Sequence, residues 1–280
     1  REIMVGSIND QGFGGFLSRP RDELEDGMDR SPGRHGVSFD ELTLHYQPQV
    51  AADASRIVSV EALLRVLNPE PRLMSPADVL AFFEAPEDEE ALDWWVFRTA
   101  ATDSLRWPQL SVGINMSAAR FRDPTFADKA FALAQEVGAD PKRLEIELVE
   151  SSFIEDFETA VANIERLRAH GFRVALDDFG TGYSSLTYLL KLPIDKLKID
   201  KSFVDGIGTI QSTVIVQAVV ALARALGLKI TAEGVETEEQ WRFLKIAGCH
   251  LIQGWYFSKA VEADEITRLL ESRVVPRAAA

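Results

Sequence analysis

The sequence predicts an α/β protein, a (β/α)8 barrel of the TIM type. Three observations predict it. Eight short apolar runs with strand character alternate with longer helical stretches, which gives a mainly parallel sheet with crossover helices. Gly171, Gly227 and Gly248 each stand within a few residues of the next apolar run, the turn pattern of repeated β/α units. The chain has 280 residues, 46% hydrophobic and 26% charged, which suits one large domain, and eight strands over that length favour a closed barrel over an open sheet.

Residues 1–38 differ from the rest. They are rich in Gly, Asp, Arg and Ser with little periodicity and read as a linker or arm, with Phe13, Phe16 and Leu17 as the side chains available to dock it. The barrel is expected over 39–275, and 276–280 as a tail. Strands are predicted at Leu42–Gln47, Ile57–Leu63, Ser111–Asn115, Leu144–Leu148, Arg173–Asp177, Lys196–Ile199, Lys229–Ala232 and His250–Gln253. Helices are predicted at Ala91–Leu105, Phe126–Val137, Phe157–His170, Gln211–Leu226, Glu238–Ala247 and Ala263–Ser272. Asp140-Pro141 and the three glycines mark helix ends.

The formal net charge is −14, which disfavours a DNA, RNA or anionic-membrane surface but leaves room for a small phosphate-bearing ligand beside bound cations. A single cysteine, Cys249, excludes an intramolecular disulfide and fits a reducing, cytoplasmic setting. With four histidines besides, a structural zinc site is not expected. No uninterrupted apolar segment of membrane-spanning length is present. The chain opens on Arg1 rather than Met, so it is expected to be part of a longer protein carrying a sensor or regulatory region.

The polar residues are concentrated at strand ends. Glu61 lies in IVSVEALLR, Asn115 ends SVGIN, and Glu147 and Glu150 lie in LEIELVE. Asp177 and Asp178 end RVALDD, Lys198 and Asp200 lie in KLKID, Glu233 and Glu236 follow KITA, and Gln253 follows HLI. In a parallel barrel the C-terminal strand ends share one mouth, where barrel active sites form. One acid after a strand is usually a cap, and Asn115 by itself is a good cap residue. Several acids at the same structural position point to a shared site.

Carboxylates and an amide, without Cys or His, are hard oxygen donors suited to Mg²⁺ or Mn²⁺, with Ca²⁺ as a non-productive competitor. Adjacent carboxylates such as Asp177 and Asp178 suit two ions at the spacing of about 3.5–4 Å used in phosphoester hydrolysis. Lys198 would orient or deprotonate the attacking water, or offset carboxylate charge.

These residues fall in an ordered set of motifs: LHYQPQV from Leu44, EALLR from Glu61, INMS from Ile114, EIELVES from Glu145, DDFGTGYSSL from Asp177, LKIDKSF from Leu197, AEGVE from Ala232 and QGWYFS from Gln253. Over about Phe39 to Leu270 the chain resembles the EAL domain of bacterial cyclic-di-GMP phosphodiesterases, named for Glu61-Ala62-Leu63. The resemblance implies a modified TIM barrel whose first strand runs antiparallel, two Mg²⁺ or Mn²⁺ ions, and hydrolysis of cyclic di-GMP to linear pGpG. It implies Glu61, Asn115, Glu147 and Asp177 as ligands of one ion, and Asp177, Asp178 and Glu233 for the second. Lys198 resembles the group that activates water. Gln47, Leu63, Arg65 and Gln253 resemble substrate contacts, with Asp200 and Glu236 as polar positions near the centre; Arg65 offers a planar fork to a phosphate.

Glu150, Phe179, Gly180, Thr181 and Gly182 resemble the loop, and its anchoring glutamate, that links metal binding to contacts in a homodimer. Val66 and Asn68 before Pro69, and Lys259-Ala260 near the end, depart from the family pattern. Some members of the fold bind cyclic di-GMP without turning it over. Their mark is loss of the EAL glutamate, an Asp of the pair, the lysine or the loop glutamate, and here all are present.

Overall fold

The computed structural model describes residues 38–67, 83, 85–153, 156–179 and 186–277. Residues 1–37 of the arm expected at 1–38, residues 278–280 of the expected tail, and the loop residues Gly180, Thr181 and Gly182 lie outside the described residues. The strands are β1 (Leu42–Ala51), β2 (Ile57–Val66), β3 (Ser111–Asn115), β4 (Leu144–Val149), β5 (Arg173–Phe179), β6 (Lys196–Ile199), β7 (Lys229–Ala232), β8 (Leu251–Gln253) and β9 (Val261–Glu262). β2 to β8 pair in sequence order, all parallel. β1 closes the barrel by pairing antiparallel with both β2 and β8. This is the TIM-like barrel with a reversed first strand that the resemblance implied.

β1 runs four residues past its predicted end at Gln47, because the chain continues in sheet through Pro48. On its outer side β1 pairs with β9 at His45 and Tyr46 and with β8 at Gln49 to Ala51. Pro48 falls in the gap between those pairings, where a residue without an N–H is tolerated. β9 and the short helices Ala118–Arg122, Leu186–Leu189 and Lys201–Asp205 escape a periodicity reading because each is too brief to show a period.

The longer helices are α1 (Pro86–Ser104), α2 (Phe126–Val137), α3 (Phe157–Ala169), α4 (Ile210–Ala225), α5 (Glu238–Ala247) and α6 (Ala263–Ser272). α1 starts five residues before the predicted Ala91, since Pro86 is accepted in a first helical turn followed by Glu87, Asp88 and Glu89. α5 opens with a capping box between Thr237 and Gln240. The three glycines expected to stop helices, Gly171, Gly227 and Gly248, all take positive φ (101°, 72° and 105°), the left-handed turn that returns the chain to the sheet.

Alternation along the strands divides the side chains. Leu197 and Ile199 of β6 are buried in the apolar core between sheet and helices. Tyr46 of β1 is in the same core: its ring packs edge-on to Trp107 at 4.9 Å and its hydroxyl donates to Asp103 Oδ2 of α1 at 2.6 Å. Lys196 and Lys198 point the other way, into the lumen. Lys196 reaches Glu145 on β4 and Gln49 on β1, neither a neighbour of β6 in the sheet, so these contacts cross the barrel. A lumen filled by polar side chains differs from the Val, Ile and Leu layers common in TIM barrels.

Candidate active site

Lys198 is the centre of the site and has no solvent exposure. Its Nζ lies 2.5 Å from Glu147 Oε2, 2.7 Å from Glu233 Oε1, 2.9 Å from Asp177 Oδ2 and 3.4 Å from Glu61 Oε2. All four carboxylates are buried. One ammonium therefore faces four acids. Burial costs each charged form, and repulsion among the acids adds to that cost.

The balance differs from group to group. Burial, reinforced by neighbouring carboxylates, holds Glu147 and Glu233 well above the usual carboxylate range and raises Asp177. Burial would raise Glu61 too, but the Lys198 ammonium and hydrogen bonds from Gln253 and Asn115 outweigh it and hold Glu61 low. Burial opposes the Lys198 charge, yet Asp177, Glu147, Glu233 and Glu61 together keep it protonated far above an ordinary lysine.

Backbone details fix these positions. Gly113 on β3 lies beside Glu147, and a Cβ there would come 2.2 Å from Glu147 Oε1. Only glycine leaves room for that carboxylate. Asp178 takes φ 54°, a left-handed conformation unusual for aspartate, with its N–H donating to Asp177 Oδ1 at 2.9 Å. Such outliers collect at functional sites. Burial first, then repulsion from Asp177 and Asp200, pushes the Asp178 carboxyl up to about 7.

Glu61, Glu147 and Asp177 each offer an oxygen within 4.8 Å of the other two. Glu147 Oε1 and Glu233 Oε2 are buried without a hydrogen-bond partner, and Glu233 Oε1 lies 2.7 Å from Lys198 Nζ. Native proteins rarely leave buried carboxylate oxygens unanswered. Hard oxygen donors, an excess of negative charge and orphaned acceptors fit divalent cations such as Mg²⁺ or Mn²⁺.

The other expected residues are distributed around this centre. Asn115 donates to Glu61 Oε1 at 2.8 Å. Gln253 Nε2 donates to Glu61 Oε2 at 2.6 Å and to Gln47 Oε1 at 3.1 Å. Leu63 is buried two residues beyond Glu61, and Arg65 at the end of β2 donates to the Leu64 carbonyl. Asp200 accepts from the Ser202 N–H as the cap of helix 201–205, and Glu236 accepts from Lys201 at 2.6 Å on the surface. Glu150 is buried at the head of a short 3-10 turn after β4, and Phe179 is buried at the end of β5.

Sequence reasoning missed Gln49, Ser59, Glu145 and Lys196, which form a second polar layer beneath the acids. Each stands two residues before or after a recognised site residue on its strand, and that spacing, which places both on one face, was the available signal.

Residues 34–260 match the family model of the EAL domain. An uncharacterized signaling protein of Caulobacter vibrioides is 39% identical over 236 residues, which is 84% of this chain but 29% of that relative. The chain thus spans under a third of that relative's length. Among solved structures, the MucR phosphodiesterase of Pseudomonas aeruginosa in complex with c-di-GMP is 35% identical, with a TM-score of 0.74 over 81% of this chain and 94% of that one. Klebsiella pneumoniae BlrP1, in a manganese and c-di-GMP complex, is 29% identical, with a TM-score of 0.71 over 83% of this chain and 58% of that one. By motif order, barrel topology and these similarities, the chain belongs to the EAL domain family and is related to its cyclic-di-GMP phosphodiesterases.

Proposed function

We propose that this domain is a metal-dependent phosphodiesterase that hydrolyses cyclic di-GMP to linear pGpG. The observation that carries the reading is the buried group Glu61, Glu147 and Asp177, facing one another with unanswered oxygens nearby. In this reading Glu61, Asn115, Glu147 and Asp177 hold one Mg²⁺ or Mn²⁺, and Asp177, Asp178 and Glu233 hold a second. Bound there, the cations supply Lewis-acid polarisation of the phosphoryl group and a water acidified toward neutrality.

The remaining work belongs to the chain. Lys198 is an ammonium with protons to donate, so it places the attacking water by hydrogen bonding and offsets carboxylate charge. Arg65 presents its fork to a phosphate, and Gln47, Leu63 and Gln253 contact the nucleotide, with Asp200 and Glu236 shaping the rim. Glu150, Phe179 and residues 180–182 connect the metal site to a homodimer contact. Within a longer protein the barrel, over 39–275, serves as the output of a sensor or regulatory region. No helix among the described residues is long and apolar enough to cross a membrane.

The test is incubation of the purified chain with cyclic di-GMP and Mg²⁺ or Mn²⁺, with the products resolved by chromatography. Linear pGpG is expected with either ion. None is expected with chelator or with Ca²⁺, whose looser coordination holds substrate without turnover. Tight binding of cyclic di-GMP with no cleavage in Mg²⁺ and Mn²⁺ would replace an enzyme with a receptor.

A further inference from the structure

The lower layer of the lumen is wired to the upper one through side-chain amides. Lys196 Nζ donates to Gln49 Oε1 at 3.3 Å and to Glu145 Oε1 at 2.5 Å. Ser59 Oγ also donates to Gln49 Oε1, at 2.6 Å. Gln49 Nε2 then donates to Gln253 Oε1 at 2.8 Å, and Gln253 Nε2 donates to Glu61 Oε2 and Gln47 Oε1. Gln47 Nε2 ends the chain on the Ser258 carbonyl at 3.1 Å. Gln49, Gln253, Ser59, Lys196 and Glu145 are all nearly inaccessible to solvent.

An amide can turn over, exchanging its oxygen and nitrogen, so its direction needs a cause. Here both ends supply one. An ammonium can only donate, so Lys196 must face the oxygen of Gln49. Gln49 then turns its nitrogen to Gln253, and Gln253 turns its own nitrogen to Glu61. A backbone carbonyl can only accept, so Ser258 requires the nitrogen of Gln47, which leaves the Gln47 oxygen to receive the same Gln253 nitrogen. The two ends agree on one orientation of Gln253.

We propose that Lys196 and Gln49 are positioning residues. They set the direction of an amide relay that makes Gln253 a donor to Glu61 and so aims that carboxylate for a cation. The inference rests on the reading of Glu61 as a metal ligand. Groups hydrogen-bonded to metal ligands typically change affinity by about 10–100-fold when altered.

The sharpest probe is Gln49→Glu, which keeps the size and, as the carboxylate, can only accept. Gln253 must then turn its nitrogen down and its oxygen toward Glu61, carbonyl against carboxylate. Titration with Mn²⁺ by calorimetry, without substrate, is expected to show affinity reduced at least about tenfold in Gln49→Glu. Gln49→Met removes the relay without reversing it and is expected to lose less. Equal affinity in Gln49→Glu and the wild type would overturn the relay, as would an equal loss in both variants, which would mean packing rather than direction.

Should Gln49→Glu fail to fold, the charge-neutral pair Lys196→Met with Glu145→Met carries the test. It removes the one partner of Gln49 Oε1 that can only donate and leaves Ser59 Oγ, which can donate or accept, so weaker Mn²⁺ binding is expected and unchanged binding would refute the relay. If the wild type itself takes up no Mn²⁺, the metal-site reading fails and the relay falls with it. Mn²⁺ uptake by the wild type with no response to any of these variants defeats the relay alone.

Discussion

Lys196 and Lys198 stand two residues apart on β6, both buried in the lumen, yet they keep different company. Lys196 meets one carboxylate, Glu145, and the amide and hydroxyl of Gln49 and Ser59 complete its layer. None of those side chains leaves a buried polar atom without a partner among the described residues. Lys198 meets four carboxylates, and orphaned oxygens on Glu147 and Glu233 lie in that layer. One layer is closed in charge and hydrogen bonding, and the other is not. A matched buried pair does structural work, whereas a buried excess of anions marks a place for cations.

The largest expected effects come from removing acids of the unbalanced layer. Glu61→Ala and Asp177→Asn are each expected to abolish cyclic-di-GMP hydrolysis while circular dichroism stays that of the folded chain. Near-wild-type turnover in either would break the comparison, because the excess charge would then serve no chemistry. Lys198→Met comes next. It leaves four buried acids without their ammonium, and breaking a buried pair costs about 3–5 kcal/mol. A large fall in Tm is expected in chelator, recovered in part by millimolar Mn²⁺, since an ion bound only to the folded chain adds stability.

Lys196→Met separates the two layers. It strands Glu145, and a loss of about 3–5 kcal/mol is expected here too. Mn²⁺ should restore less of it, because Lys196 meets a single carboxylate where Lys198 meets four. A variant that replaces both partners, Lys196→Met with Glu145→Met, should return to within about 1–2 kcal/mol of the wild type, as apolar replacements of buried pairs often do. Equal recovery of Lys196→Met and Lys198→Met by Mn²⁺, read as Tm against ion concentration, would erase the distinction.

The same contrast explains what was legible in the sequence. Asp177 and Asp178 interrupt an apolar run at a strand end, and so do Glu61 and Glu147 in milder form; buried carboxylates are costly enough that such positions stand out. Lys196 in DKLKID reads as one face of an alternating strand, and on an open sheet that face meets water. Only closure of the barrel by β1 turns it inward, and closure is a property of the whole sheet. The direction of β1 is hidden for a related reason: alternation of strands and helices gives order but no sense, and the reversed strand came from family resemblance alone. Gln49 and Ser59 lacked charge to draw notice, though each shares a face with Gln47 and Glu61.

A third buried cluster shows the other way to neutralise an acid. Outside the barrel, Arg120 pairs with Glu90 at 2.8 Å and, at 3.3 Å, with Asp93 of α1, which also accepts from Ser117 Oγ. Glu89 and Glu90 share the helix with Asp93, and Lys129 of α2 approaches Glu90 at 4.0 Å. Burial, against the pull of Ser117 and Arg120, pushes the Asp93 carboxyl up to about 6. Between about pH 4 and 6 the folded chain holds a proton that the unfolded chain has released, so this carboxyl makes stability fall as pH rises through that window. Asp93→Asn stays neutral throughout. Its stability relative to the wild type should therefore rise from pH 4 to pH 7, by at most about 3 kcal/mol for a shift of about two units. Tm measured for both chains across that range gives the sign. A difference that stays flat or falls with rising pH would show that Asp93 is ionised in its pocket, as paired as Glu145, and that neutralisation by a proton has no part in how this fold buries its acids.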